Sequence, residues 1–318
     1  MMPAAALEPG EGGIAVDAAH LFHLRHILRS GPERSVRAIG RAGGFAGKKR
    51  GNGLEIVDVR LFSEGDDIRH VDAAATARTA KTHVRTFREE RDRATLLIAD
   101  FRTQMFFGTR RRLRSVAAAG ALALAGWRAI ETGGRVGLLS AFAGRTEFLP
   151  PRARERAMAG IAGALESAHA EAAGMLAAGN DLAEPGLADI LDQALARALP
   201  GTSLVLASGL DDAGEDFFRL AETAGKRFDL TILLVKDRFE TDPPPGAYPY
   251  RAIGDGRAGP MRWALLRKSP GVAKRREETP VDARVERLAN GRVAVRVLAA
   301  DCDYEVMAAS LVGGVDGR

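Results

Sequence analysis

The sequence predicts a doubly wound α/β fold carrying an N-terminal β-containing addition. Three observations lead to it. From Arg93 onward, short apolar runs alternate with longer helical patterns, as a parallel sheet with crossover helices requires. The run Thr95-Leu96-Leu97-Ile98-Ala99 is apolar without alternation, which suits a strand covered on both faces. It stops at Asp100, a carboxylate at the C-terminal end of a buried strand, where open α/β sheets place their ligand sites.

Taken in order, residues 1–16 read as a disordered start. Asp17 caps a helix that runs to Arg29 and is stopped by Ser30-Gly31-Pro32. Residues 33–53, ending in GGFAGKKRGNG, have the composition of a mobile basic loop. Residues 54–62 and 82–87 alternate as strands on either side of an acidic turn, which sets 17–92 apart as a first region. Strands follow at 94–99, 135–143, 146–149, 203–207 and 229–235. Helices are expected at 110–131, 152–178, 187–199 and 212–224. Gly133-Gly134 ends the first of these helices. This α/β region spans 93–241. The segment DPPPG at 242–246 is a rigid turn, and 242–318 forms a C-terminal extension packed on the α/β region. It has strands at 247–251, 261–266 and 292–298, and helices at 280–289 and 304–311.

Composition narrows the function classes. With 318 residues, 46% apolar and 27% charged, the chain reads as a soluble globular protein with a substantial core. One cysteine, Cys302, excludes an internal disulfide. The longest apolar stretch, around 116–127, is too short to span a bilayer and reads as a buried helix. No secretory signal pattern stands at the start, so a cytoplasmic protein is expected. The net charge of +5 is unevenly spread. Residues 25–114 hold 21 Lys and Arg against 11 Asp and Glu, a local +10, and the remainder is net −5. An anionic partner, or internal ion pairing, accounts for such asymmetry.

Several residue groups could carry chemistry. Glu64, Asp66, Asp67 and Asp72 cluster with Arg69, His70 and Arg78. Cations among the carboxylates favour an ion-pair network over a metal site. Asp100 is followed by Arg102 and Gln104 where a Mg²⁺ site would want short hydroxyls, and an arginine repels a cation. Ser208, Asp211 and Asp212 end a later strand and read mainly as helix caps. Arg110, Arg111, Arg112 and Arg114 crowd a helix start, where the dipole disfavours positive charge and a compensating acid or anion is required. His20, His23 and His26 recur every three residues but read as a partner-facing or solvated helix face. GGFAGKKRGNG lacks phosphate-loop spacing.

One ordered set of residues resembles a known bacterial family, domain of unknown function 58. It comprises Gly53-Leu54-Glu55, Val59-Arg60, GDDIRHVD at 65–72, Ala77-Arg78-Thr79, Val84 and Phe87, Glu89-Glu90, and Asp100 to Phe107-Gly108-Thr109. The resemblance implies a Rossmann-like, von Willebrand factor A-type sheet. It also implies work alongside a MoxR-type AAA+ ATPase in assembling or maturing a client protein. Von Willebrand A domains hold a metal through Asp-x-Ser-x-Ser and bind partners through it. Here Asp100 matches the first ligand, Arg102 and Gln104 stand at the serine positions, and Gly209 follows Ser208 where an acidic ligand is often found. The resemblance therefore implies a degenerate metal-ion-dependent adhesion site with no metal or other cofactor, through which Asp100, Arg102, Gln104, Ser208 and Gly209 bind a partner. Arg102 is expected to take a partner carboxylate in fork geometry. Asp66, Asp67, Arg69, Asp72 and Arg78 are expected to brace this edge by ion pairs. The expected function is a non-catalytic adaptor. The alternatives are a nucleic-acid-binding protein using the basic third, and a metal-dependent hydrolase built on Asp66, Asp67 and Asp100.

Overall fold

The first described element, α1 (Ala18–His23), starts where Asp17 accepts a hydrogen bond from the His20 amide at 2.8 Å. It breaks at Leu24 and resumes as α2 (Arg25–Ser30). The structure is a computed structural model that describes residues 13–30, 54–63, 66–79, 81–89, 94–179, 183–241, 243–254, 257–266, 282–289 and 292–312. The start before Gly13, the basic loop with Lys48, Lys49 and Arg50, and Glu64 lie outside these residues.

The chain divides into two units, one formed by the segment between Ala42 and Asp92 and the other by everything else. In the small unit, β1 (Leu54–Leu61) pairs antiparallel with β2 (His83–Glu89). Between them lies a short helix, α3 (Ala73–Thr79), whose sequence AAATART carries no apolar stripe. The Asp72 carboxylate accepts from the Ala75 amide at 2.8 Å and starts that helix.

The large unit holds β3 (Ala94–Phe101), α4 (Arg114–Glu131), β4 (Arg135–Phe142), β5 (Arg145–Ala153), α5 (Glu155–Ala177), α6 (Leu187–Arg197), β6 (Ser203–Ser208), α7 (Glu215–Arg227) and β7 (Asp229–Lys236). It continues with α8 (Arg238–Thr241), β8 (Gly246–Gly254), β9 (Arg257–Leu266), α9 (Ala283–Ala289), β10 (Ala294–Ala299) and α10 (Tyr304–Val312). Six strands form a mixed sheet in the order β10-β7-β6-β3-β4-β5, parallel except for β5. Strands β8 and β9 make a separate two-stranded ribbon.

The unbroken apolar strands follow from helices on both faces. Leu97, Ala99 and Phe101 of β3 point into one core with α1, α4, α5 and α10, whereas Leu96 and Ile98 point into the other with α6, α7 and α9. Helix α4 is the apolar stretch of 116–127. It is buried nearly all round because the sheet covers one side and α10 and α1 cover the other. It begins at Arg114 rather than at Arg110, so three of the four clustered arginines precede the helix. Strand β5 is longer than predicted and carries Pro150 and Pro151, which an edge strand tolerates because its outward amides need no partner.

Two predicted boundaries shift. The helices at 18–30 pack with α4, α5 and α10, since Leu21 and Leu24 belong to the main core, and so they join the α/β unit. The C-terminal extension, expected to pack on the α/β region, also supplies β10, the last strand of the sheet. Among the described residues, no helix is long and apolar enough to cross a membrane.

Two features of this packing have measurable consequences. A β-carbon on Gly120 would lie 2.2 Å from Cε1 of Tyr304, which docks α10 onto α4. Gly120→Ala is therefore expected to cost about 1–3 kcal/mol of stability through overpacking, measured by urea unfolding. His169 of α5 is buried between the Phe101 and Phe106 rings, with Nε2 2.9 Å from the Ser115 hydroxyl. Burial pushes its pKa down to about 4 from an ordinary value of 6.5. Between those values the unfolded imidazole binds the proton and the folded one does not. Its contribution is thus complete above pH 6.5 and is lost as pH falls toward 4, by roughly 3 kcal/mol. His169→Gln should flatten that part of a stability-versus-pH profile.

Candidate interaction site at the sheet edge

The sheet order reverses at β3. The chain moves from β3 to β4 and β5 on one side, then returns through α5 and α6 to place β6 on the other. The loops after β3 and β6 therefore diverge and open a crevice at the C-terminal strand ends, the usual ligand position of an open α/β sheet. Asp100 and Ser208 meet there, with Ser208 Oγ donating to Asp100 Oδ2 at 2.6 Å.

Arg102 fills the crevice. Only 2% of its side chain is exposed. Nε and Nη2 donate to the two oxygens of Asp100, each at 2.9 Å. Nη1 and Nη2 donate to Asp212 at 2.5 and 2.9 Å, and Nη1 also reaches the Pro185 carbonyl at 3.3 Å. All five guanidinium protons are thereby engaged. Burial pushes the Asp100 carboxyl upward, but the Arg102 charge, its hydrogen bonds and that of Ser208 hold it below the usual carboxylate range. The same two carboxylates hold the Arg102 guanidinium firmly charged.

The expectation that Arg102 awaits a partner carboxylate is corrected by this geometry. The fork is taken by Asp212, a residue of the same chain, because a buried guanidinium with one carboxylate would leave donors unmet. The residues around Asp100 also do not fit a divalent cation. Each Asp100 oxygen already accepts two hydrogen bonds, and the nearest cationic group lies at 2.9 Å. Among the described residues, no cluster of three His, Cys, Asp or Glu could hold a metal.

Ser208 keeps a second role. Its Oγ accepts from the Leu210 amide at 3.0 Å, a local turn rather than the expected helix cap, since α7 starts only at Glu215 after Gly214, and Leu210 adopts a left-handed backbone with φ 54. Gly209 has no space for a side chain. A β-carbon there would lie 2.4 Å from Asp211 Oδ2 and 2.6 Å from Arg114 Nη1. Those two residues form a forked pair at 3.0 and 2.9 Å directly over it. Gln104 contributes its carbonyl to Arg114 Nη2 at 2.5 Å. Glu240 adds a second carboxylate to Arg114 at 3.2 Å, so acids compensate the arginine at the start of α4. Arg111, just before it, pairs with Asp303.

Other participants carried no sequence signal strong enough to single them out. Glu184, ahead of α6, accepts from the amide and hydroxyl of Thr103 at 2.8 and 3.1 Å, and burial raises its pKa. Asp237 accepts from Thr109 N and Oγ1 at 3.0 and 2.5 Å, which gives Thr109 a defined task. Arg284 grips Asp282 at 2.8 and 2.6 Å and donates to the Gly209 carbonyl at 2.6 Å. Lys236 Nζ joins Asp282 at 2.9 Å. Only tertiary folding brings these residues to one edge.

The acidic motif of the small unit works differently from expectation. Asp66 pairs with Arg60 at 2.6 Å and accepts from the Ser63 amide. Asp67 accepts from the Arg69 amide at 2.9 Å. No ion pair joins Asp66 or Asp67 to Arg69 or Arg78 among the described residues. Short carboxylates at the start of turns readily bond nearby backbone amides. His23 and His26 stack with ring centroids 6.2 Å apart, whereas His20 packs against Tyr304 at 5.2 Å, so the three do not form one face toward a metal.

Removing Arg102 strands the buried Asp100 charge. Arg102→Met is expected to cost about 3–5 kcal/mol in denaturant unfolding. Asp212→Asn, at the more exposed end, should cost about 1–3 kcal/mol.

The family model described as "Protein of unknown function DUF58" matches residues 58–251. Similar curated proteins are Uncharacterized protein Rv1480 of Mycobacterium tuberculosis and Uncharacterized protein Mb1516 of Mycobacterium bovis. Each is 36% identical over 107 residues, which cover 32% of this chain. The chain spans 32% of the length of these relatives. Among solved structures, the crystal structure of the conserved hypothetical protein BatB from Bacteroides thetaiotaomicron aligns with a TM-score of 0.43 at 12% identity, covering 69% of this chain and 95% of that one. With more than half of its length matched by the family model, the chain belongs to the DUF58 family of proteins of unknown function.

Proposed function

We propose that this protein is a non-catalytic interaction adaptor that works with a MoxR-type AAA+ ATPase in assembling or maturing a client protein. The supporting observation is the state of Arg102. Its charge, and that of Asp100, are fully engaged inside the protein, which makes the crevice a rigid support rather than a reactive pocket. The partner surface is then the layer above it. Thr103 and Phe107 are exposed there, and Gln104 is half-buried. Asp211 and Asp212 each keep about a third of their side chain in solvent. Asp100, Arg102, Ser208 and Gly209 act as positioning residues beneath that layer. The resemblance to von Willebrand A-type domains agrees with partner binding at this edge, and the ATPase partnership is the family's implied setting.

The nucleic-acid reading has less support. Arg25, Arg60, Arg102, Arg111 and Arg114, all within the basic third, are paired with carboxylates. The hydrolase reading is weakened by the burial and saturation of Asp100.

Affinity capture by the full chain, with ATP and nuclease present, tests the proposal. An AAA+ ATPase is expected in near-stoichiometric yield. Phe107→Asp and Gln104→Arg should each reduce its recovery at least about tenfold while circular dichroism shows the fold retained, because both residues reach the surface at this edge. Recovery unaffected by either change would remove this surface from the interaction. Loss of every partner on nuclease treatment would favour the nucleic-acid reading.

A further inference from the structure

The ribbon β8–β9 has one anchored face and one open face. Its register pairs Ala247 with Leu265, Tyr248 with Ala264 and Pro249 with Trp263. Side chains alternate along each strand, so Tyr248 and Ala264 share one face while Ala247, Trp263 and Leu265 share the other. The Tyr248 face is held to the body of the protein. Its ring packs edge-on to Phe239 at 4.7 Å, and its hydroxyl donates to the Pro244 carbonyl at 2.8 Å. The opposite face is uncovered, with Trp263 67% and Leu265 62% exposed. Isolated exposed leucines are ordinary, but a tryptophan and a leucine two residues apart on an otherwise solvent-facing ribbon form an apolar patch.

The charge of the segment, read from its sequence, indicates the occupant. Residues 246–268 carry Arg251, Arg257, Arg262, Arg267 and Lys268 against Asp255 alone. The same segment holds two of the chain's three tyrosines and one of its two tryptophans. Cations interleaved with aromatic and aliphatic side chains match an anionic lipid surface. There, tryptophan settles at the headgroup level, leucine enters the acyl boundary, and arginines meet the phosphates. A nucleic acid would use the tryptophan as a stacking platform but would have no use for Leu265 and Ala247 beside it.

We infer that the β8–β9 ribbon docks on an anionic phospholipid surface through Trp263 and Leu265, without spanning it. This goes beyond the adaptor reading and does not depend on it.

Vesicle binding by the full chain provides the test. Phosphatidylcholine vesicles with and without phosphatidylglycerol serve as probes, and co-sedimentation is the readout. Anionic vesicles should bind the chain at least about tenfold more tightly than phosphatidylcholine alone. Trp263→Ser/Leu265→Ser should weaken that binding at least about tenfold. Arg251→Gln, at the register position opposite Met261, should weaken it about fivefold. Because Trp127 is fully buried, protection from iodide quenching on vesicle addition reports Trp263. Trp263 and Leu265 are exposed on the ribbon, so thermal melting of the double variant should be unchanged. The inference is overturned by absent vesicle binding, by binding that the double variant retains, or by an unprotected Trp263. It is equally overturned if the wild type binds RNA or DNA rather than vesicles and the double variant loses that binding.

Discussion

A buried negative charge at the end of β3 dictates much of the architecture around it. An isolated carboxylate at 1% exposure would be strongly disfavoured unless neutralised and hydrogen-bonded. Arg102, two residues along the same loop, supplies the charge, and Ser208 from the neighbouring strand supplies a hydroxyl. A guanidinium has more donors than one carboxylate can accept, so Asp212 closes the remainder from 110 residues away in sequence. A local need for charge balance thereby fixes the position of the β6–α7 loop against β3.

The same requirement spreads outward through shared residues. The loop that carries Asp212 also carries Asp211, which pairs with Arg114 at the first turn of α4. Glu240 lies 3.2 Å from Arg114 and 3.6 Å from Arg284. Arg284 and Asp282, at the start of α9, connect this group to Lys236 at the end of β7. Carboxylates and cations from the ends of three strands and the starts of α4 and α9 form two ion-pair groups, around Arg102 and around Arg114, joined by the loop that carries Asp211 and Asp212. Such a network confers positional precision more than net stability, since desolvation offsets much of the attraction. The exposed groups above it inherit fixed positions, as the proposed partner-binding edge requires.

Gly209 shows how a departure from the von Willebrand A-type pattern that the resemblance implies acquires a physical reason. Its place follows Ser208, where an acidic ligand is expected by resemblance, yet the Arg114–Asp211 pair lies within contact of where its side chain would begin. Arginine at 102 and glycine at 209 therefore belong together. The first fills the crevice with its own cation, and the second leaves room for the ion pair that covers it.

The sequence by itself determined the α/β class, the central strands and the buried helix, because periodicity and unbroken apolar runs are local signals. It also located the sheet edge at Asp100 and Ser208, since a carboxylate or hydroxyl ending an apolar strand is legible without coordinates. Tertiary structure alone decided the rest. Arg102 is equally able to meet a partner's carboxylate or one of its own, and only the fold brings Asp212 to it. Helix α3, short and alanine-rich, leaves no periodic trace. The edge strand β10 lies beyond a ribbon and a helix, so its membership of the sheet is a matter of long-range pairing with β7. Local pattern specifies which elements form, but charge pairing and strand neighbours depend on residues that are distant in the chain and adjacent only once it has folded.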